Sequence, residues 1–268
     1  FNTETISNQI PLGQLTKELL MDEIWTDSPV IGNSIQNILN HYKFNTKVVA
    51  TPPVLDIEDL PKETNGSIRK GDTLLENSFI FYYMGNILED KEGFKETCIA
   101  YLNTFSNKDP VVLVVALETI INNESMNNVI EYCQNCVAQF RPKQEQPAVR
   151  IIPPQQELLT TMERVAIHID ADCMVCPNYA VSINSTVLEG ILYENTPIIN
   201  KGGACYEWFG EENFWGVESY EDFCISNTSP NPSFYRFTSG ESWHKPVIKS
   251  LGKAMKNAYT NKFERDKK

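Results

Sequence analysis

The chain has 268 residues, 41% of them hydrophobic and 22% charged, with a formal net charge of −12. That length buries at least one substantial core, and one or two domains are expected. The acidic balance excludes a general nucleic-acid or anionic-membrane binder, because phosphate backbones are held by clustered Lys and Arg; a local basic pocket for one small phosphate is still compatible with it.

No apolar run approaches the roughly 20 residues that span a bilayer, and no signal peptide stands out, so a cytoplasmic protein is expected. The chain opens on Phe1 rather than Met, which points to something upstream. Seven cysteines (Cys98, Cys133, Cys136, Cys173, Cys176, Cys205 and Cys224) make an odd count that suits reduced thiols. Two CxxC pairs, Cys133/Cys136 and Cys173/Cys176, invite a zinc site, but the gap between them far exceeds a zinc ribbon's roughly 15–20 residues. Residues three apart on a strand also point to opposite faces, so Cys173 and Cys176 do not jointly grip one ion. Cys133 shares an apolar helix face with Met126, Val129, Ile130 and Val137, and no metal is expected.

In chain order, 11–21 is helical in pattern, EIWTDS (23–28) is strand-like, a helix falls near 30–42, and KVVATPPV (47–54) is strand-like. The polar run DIEDLPKETNGSIRKGD (56–72) marks a linker, placed at 58–77. A regular alternation follows. SFIFYYMG (78–85) is a buried strand, and GFKETCIAYLNTF (93–105) is an amphipathic helix. PVVLVVAL (110–117) is a continuous apolar strand of the kind covered on both faces. Then come a helix at 124–140, the strand AVRIIPP (148–154), a helix near 155–168, the strand CMVCP, a helix around Glu189, the strand PIIN and a short helix near 203–209. The succession implies an α/β protein with a Rossmann-like, doubly wound parallel sheet. Residues 213–240 look irregular. A last helix is expected from about Lys245, with Pro246 in its first turn and an apolar stripe of Val247, Ile248, Leu251, Met255 and Tyr259.

Chemistry concentrates in the stretch from Asp172 to Gly203. Ser182, Ile183, Asn184, Ser185 and Thr186 form a polar turn ahead of a helix, whose first amides suit a diphosphate. Glu189 lies one turn deeper, where a carboxylate accepts hydrogen bonds from a ribose diol. The alternative is an ordinary N-capped helix with a solvated Glu. A second candidate is the turn after the first long strand, where Gly85, Asn86 and Lys91 sit at the sheet's carboxyl edge; the alternative there is a surface lysine in an acidic turn. Gly202 and Gly203, followed by Glu207 and Trp208, give either a tight turn with a ligand-facing backbone or simply a helix start. His168 is expected to be a structural hydrogen-bonder. No Ser-His-Asp order, HExxH or Walker loop is present, so no catalytic residue is assigned.

Taken together, these segments resemble the C-terminal half of a GT-B glycosyltransferase, similar to glycosyltransferase family 4 and its group 1 relatives. FYYMGNILEDK matches the family's strand-glycine-lysine signal through Gly85 and Lys91. The segment with His168, Asp172, Cys173 and Val175 matches another. VSINSTVLEGILYENTPII matches the donor-site helix and strand, GGACYEWF a following turn, and ESWHKPVIKSLGKAMKNAY the last helix. LLMDEIWTDSPVIGNSI and KVVATPPVLD look like the last part of the preceding domain. Val181 stands where the family has its first acidic residue, Ser182 and Asn184 where it has glycines, Thr186 where it has proline, and Asn86 where it has Arg or Glu.

The resemblance implies four segments. Residues 1–57 would end an incomplete N-terminal acceptor domain, 58–77 would link, 78–240 would be the nucleotide-sugar domain, and 241–268 would be a crossing helix and tail. It implies a glycosyltransferase moving a sugar, with retention, from a nucleotide-diphosphate sugar to an unknown acceptor. No metal or other cofactor is implied. Donor binding would fall to Gly85, Asn86, Lys91, Ser182, Ile183, Asn184, Ser185, Thr186 and Glu189. Two other readings stay open: a non-catalytic GT-B module acting in binding or assembly, and a nucleotide-sugar epimerase on the same fold.

Overall fold

The computed structural model describes residues 21–52, 54, 61, 64, 66–119, 121–154, 156–179, 183–201, 203–223 and 242–261. An N-terminal unit consists of β1 (Glu23–Thr26), α1 (Pro29–His41) and β2 (Lys47–Ala50). After α2 (Thr73–Glu76), strands and helices alternate: β3 (Phe79–Gly85), α3 (Phe94–Thr104), β4 (Val111–Leu117), α4 (Asn123–Ala138) and β5 (Ala148–Ile152). The second half runs through α5 (Thr161–Asp170), β6 (Cys173–Cys176), α6 (Ser185–Leu192), β7 (Ile198–Asn200), α7 (Ala204–Phe209) and β8 (Trp215–Val217). An antiparallel pair, β9 (Ser219–Phe223) and β10 (Ser242–Pro246), precedes α8 (Ile248–Thr260).

Six strands form one parallel sheet in the order β5-β4-β3-β6-β7-β8. This is the doubly wound arrangement expected from the alternation. The chain winds outward from β3 through β4 to β5, then returns to β6 on the other side of β3, so the winding reverses between β3 and β6. Only Phe81–Cys173 and Tyr82–Met174 are paired across that line, which leaves the carboxyl ends of the two strands to diverge.

Burial follows from the strand period. All seven residues of β4 are buried, as a strand covered on both faces requires. Along β3, Phe81 and Tyr83 enter a core with α3, α4 and α8, whereas Ile80, Tyr82 and Met84 enter a second core with α2, α5, α6 and α7. The apolar stripe of α8 packs on α3 through Leu251 and Met255, and Tyr259 meets Phe79 edge-on at 5.6 Å. The N-terminal unit has a small core of its own, built on Ile24, Ile31, Ile35 and Leu39.

Several boundaries differ from the sequence expectations. The helix expected near 155–168 starts at Thr161, because Thr160 and Glu163 form a reciprocal capping box there. Pro246 closes β10 rather than opening the last helix, which begins at Ile248 with Val247 as its cap. Part of the stretch taken as irregular is β8 and β9, whose short runs pair with β7 and β10. Within 58–77, Arg69 anchors the chain at the sheet's amino edge, donating to the carbonyls of Asp170, Leu75 and Ser78 and pairing with Asp172 at 2.6 Å. The helix expected at 11–21 lies outside the described residues, apart from Met21.

Gly93, the cap of α3, sits at the reversal with φ of 71°. A Cβ there would lie 2.6 Å from the Pro177 carbonyl oxygen. Left-handed strain and this backbone collision act together, so Gly93→Ala should lower stability by about 3 kcal/mol. An unchanged midpoint in urea unfolding would show that the contact is not required.

Candidate functional site

The carboxyl edge beside the β3/β6 reversal is where open α/β sheets leave a crevice for ligands. Two loops meet there. Tyr179 N–H donates to the Lys91 carbonyl at 2.8 Å, so the turn after β3 and the turn after β6 are held together. Asn200, at the end of β7, donates to the carbonyls of Pro177 and Asn178 and fixes the same loop from the other side.

From that edge α6 runs back over the sheet. Asn184 is its N-cap, and the side-chain oxygen accepts from Thr186 N at 2.9 Å and Val187 N at 3.4 Å. Ile183 N–H donates to Asp27 Oδ2 at 3.3 Å. These amides of the polar turn are therefore bonded within the protein. Ser182, together with Val181, lies outside the described residues.

Glu189, one turn along α6, is neither solvated nor a cap. Arg164 on α5 grips it with a planar fork: Nε donates to Oε2 at 3.1 Å and Nη2 to Oε1 at 3.2 Å. His168, one turn beyond Arg164, is fully buried, and its Nε2 faces Glu189 Oε2 at 3.5 Å. Its Nδ1 lies 2.6 Å from the Tyr82 hydroxyl. Burial holds the Tyr82 phenol well above its usual range, so Tyr82 keeps its proton. A carboxylate facing Nε2 favours the ring proton there, and Nδ1 then accepts from the Tyr82 hydroxyl. Burial pushes the Glu189 carboxyl up, but the nearby His168 ring and the Arg164 fork outweigh it and hold it below the usual carboxylate range. Gly190 makes room for the group, since a Cβ there would lie 3.3 Å from the Tyr82 hydroxyl.

Gly85, Asn86 and Lys91 are together at the edge as expected, in a different electrostatic setting. Asn86 folds into a local turn, its Oδ1 accepting from Leu88 N at 3.0 Å and its Nδ2 donating to Glu89 Oε1 at 3.1 Å. Lys91 is no surface lysine: its side chain is 11% exposed and its Nζ lies 3.6 Å from Glu89 Oε2. Burial raises the Glu118 carboxyl, with Arg164 and Lys91 opposing and Glu89 reinforcing, so Glu118 belongs to the same field.

Gly203 caps α7 rather than opening a turn, and this helix meets the N-terminal unit. Trp208 Nε1 donates to the Asp27 carbonyl at 2.7 Å, and Ser28 Oγ donates to Glu207 Oε2 at 3.4 Å. Burial raises both Asp27 and Glu207. A cleft of about 30 Å³ lies between α6 and α7, lined by Cys176, Asn178, Asn184, Asn200 and Cys205 among others. A larger cavity of about 410 Å³ lies behind α5, between Thr64, Ser67, Ile152, Pro153 and Met162. None of Lys91, Arg164, His168 or Glu189 lines it, so volume does not mark the site. Cys173 and Cys176 are buried in β6 and enter opposite cores, and Cys133 shares the core of Cys173.

Arg164 and Asp27 were missed in the sequence. The spacing of Arg164 and His168, one turn apart on a helix, was the available signal. Asp27 reaches the site only through tertiary packing.

No family model matches the chain, and no curated protein matches it. Solved structures do. One is a trehalose-6-phosphate synthase from E. coli bound with UDP-2-fluoro glucose, with TM-score 0.66 and 11% identity, covering 98% of this chain and 60% of that one. Another is a UDP-forming α,α-trehalose-phosphate synthase from Burkholderia xenovorans in complex with glucose-6-phosphate, with TM-score 0.64 and 10% identity over 95% of this chain and 58% of that one. A third is the N-terminal domain of a Candida albicans trehalose-6-phosphate phosphatase, with TM-score 0.62 and 12% identity over 94% and 54%. The likeness shows the fold, which is the GT-B type, without singling out family 4. The chain spans about three fifths of the length of the synthases it matches.

Glu189→Ala should lower stability by about 2 kcal/mol at pH 7, because it strands the Arg164 guanidinium and the buried His168 N–H. A depressed carboxyl contributes stability above its unfolded value, and loses it as pH falls through the folded one. The difference between wild type and variant should therefore shrink below about pH 4.5. A gap that stays constant from pH 7 to pH 3 in thermal unfolding would contradict the clamp.

Proposed function

We propose that this chain is the donor half of a glycosyltransferase, which moves a sugar from a nucleotide-diphosphate sugar to an acceptor with retention. The observation that carries the reading is the Glu189 carboxylate, held by Arg164 and backed by His168 on a helix that starts at the sheet reversal. A carboxylate so fixed presents its remaining lone pairs to a ribose diol without having to be ordered on binding. The start of α6 and Lys91 lie on the side where a diphosphate would follow, and Gly85 and Asn86 border it. In this reading no metal is needed, since amide dipoles and one lysine meet the charge on the departing diphosphate. The fold shared with the synthases supports the reading, and so does the ordered series of family-like segments.

The N-terminal unit, residues 23–50, fits the end of an acceptor-binding domain in this proposal, and α8 the family's last helix. A cytoplasmic setting belongs to the same reading. Acceptor and donor sugar are left to experiment. A second reading, a GT-B module that binds or assembles without turnover, is favoured by one observation: Asn184, Asp27 and Glu89 already bond groups that would receive the diphosphate.

Calorimetry with UDP, GDP, ADP and their sugars tests the first reading. One nucleotide should bind, and Glu189→Ala should weaken it at least about tenfold through loss of the ribose bonds. Equal affinity in wild type and variant would remove the ribose assignment.

A further inference from the structure

Glu89 sits in the turn after β3, at the sheet's carboxyl edge. One oxygen accepts from Asn86 Nδ2 at 3.1 Å, and the other lies 3.6 Å from Lys91 Nζ. Both charged side chains are only 11% exposed. The backbone fixes the carboxylate in place, because Glu89 N–H donates to the Asn86 carbonyl and Glu92 N–H donates to the Glu89 carbonyl.

We propose that Glu89 is a specificity-determining residue, a built-in competitor whose carboxylate holds Asn86 and Lys91 against the phosphate groups of a ligand. The inference rests on the reading of this edge as a nucleotide site. An exposed ion pair would carry no such consequence, since it exchanges freely with water and ions. This pair is largely screened from water, so an incoming phosphate competes with the Glu89 carboxylate for Lys91. Glu92 and Glu118 stand near the same turn: burial first, then Glu92, Cys176, Glu118 and Glu89 raise the Tyr83 phenol. A diphosphate entering there has to displace Glu89 and approach two further carboxylates. A nucleoside held through Glu189 meets neither obstacle. The wild-type site therefore binds chiefly through the nucleoside end, and neutralising Glu89 removes the carboxylate that a phosphate has to displace beside Lys91.

The test is calorimetry on the full chain with inorganic pyrophosphate, with uridine, and with UDP, GDP and ADP. Glu89→Gln should bind pyrophosphate at least tenfold more tightly than wild type, with uridine unchanged. The gain should vanish in the double variant Glu89→Gln/Lys91→Met, and Glu212→Gln, which removes a distant carboxylate, should behave as wild type. Glu89→Ser serves if the glutamine variant does not fold. Equal pyrophosphate affinity in wild type and Glu89→Gln, including no binding by either, would overturn the proposal, as would a gain that survives the loss of Lys91. If Glu89→Gln gains pyrophosphate but no nucleotide binds better than pyrophosphate, the competitor stands and the nucleotide reading fails. If a nucleotide binds wild type and Glu89→Gln equally well, the nucleotide reading stands and the competitor fails.

Discussion

The fork between Arg164 and Glu189 ties together the two helices that follow β5 and β6, and the geometry of the site depends on it. Glu189 lies on α6 and Arg164 on α5, and the carboxylate is close to buried, so each charge needs the other. His168 and Tyr82 extend the arrangement into the core and reach β3, the strand about which the winding of the sheet reverses. A helix that could otherwise shift along its axis is thus fixed to the middle of the sheet by polar contacts. Asn195 adds to this by donating to the His168 carbonyl at 2.7 Å, which holds the end of α5 to the loop after α6.

At the other end of the site the charges are arranged differently. Asn86 and Lys91 are turned inward to Glu89, Asn184 caps its own helix, and Asp27 takes the amide of Ile183. Glu189 is held so as to present its carboxylate, whereas the turn after β3 and the start of α6 are bonded within the protein. That asymmetry is a matter of side-chain chemistry on a common backbone, and it is why a shared fold alone does not establish activity. Asn86 and Asn184 stand where the resemblance expects an Arg or Glu and a glycine, and both spend their side chains on local turns.

Much of the fold was legible in the sequence, since β3 and β4 are unbroken apolar runs and α3 carries a clear amphipathic face. The alternation of these elements implies a parallel sheet, and winding about β3 follows from connection rules. The start of α5 was missed because the capping box at Thr160 and Glu163 outweighs the pattern before it. The strands β8 and β9 were missed because three to five residues carry too little periodicity, and their partners set them. Glu189 and Lys91 were singled out in the sequence, and so was the acidic turn around Lys91, but Arg164 and Asp27 were not. Arg164 lies 25 residues from Glu189 and Asp27 lies 156 residues from Ile183, and only packing brings them together.

Hydrogen exchange of the full chain, with and without each nucleoside diphosphate, tests the location of the site most directly. The account predicts that the nucleotide that binds slows exchange in Ile183–Glu189 and around Arg164, leaving Thr64 and Gly66–Ile68 beside the larger cavity unchanged. Protection confined to that cavity, with none in α6, would contradict it.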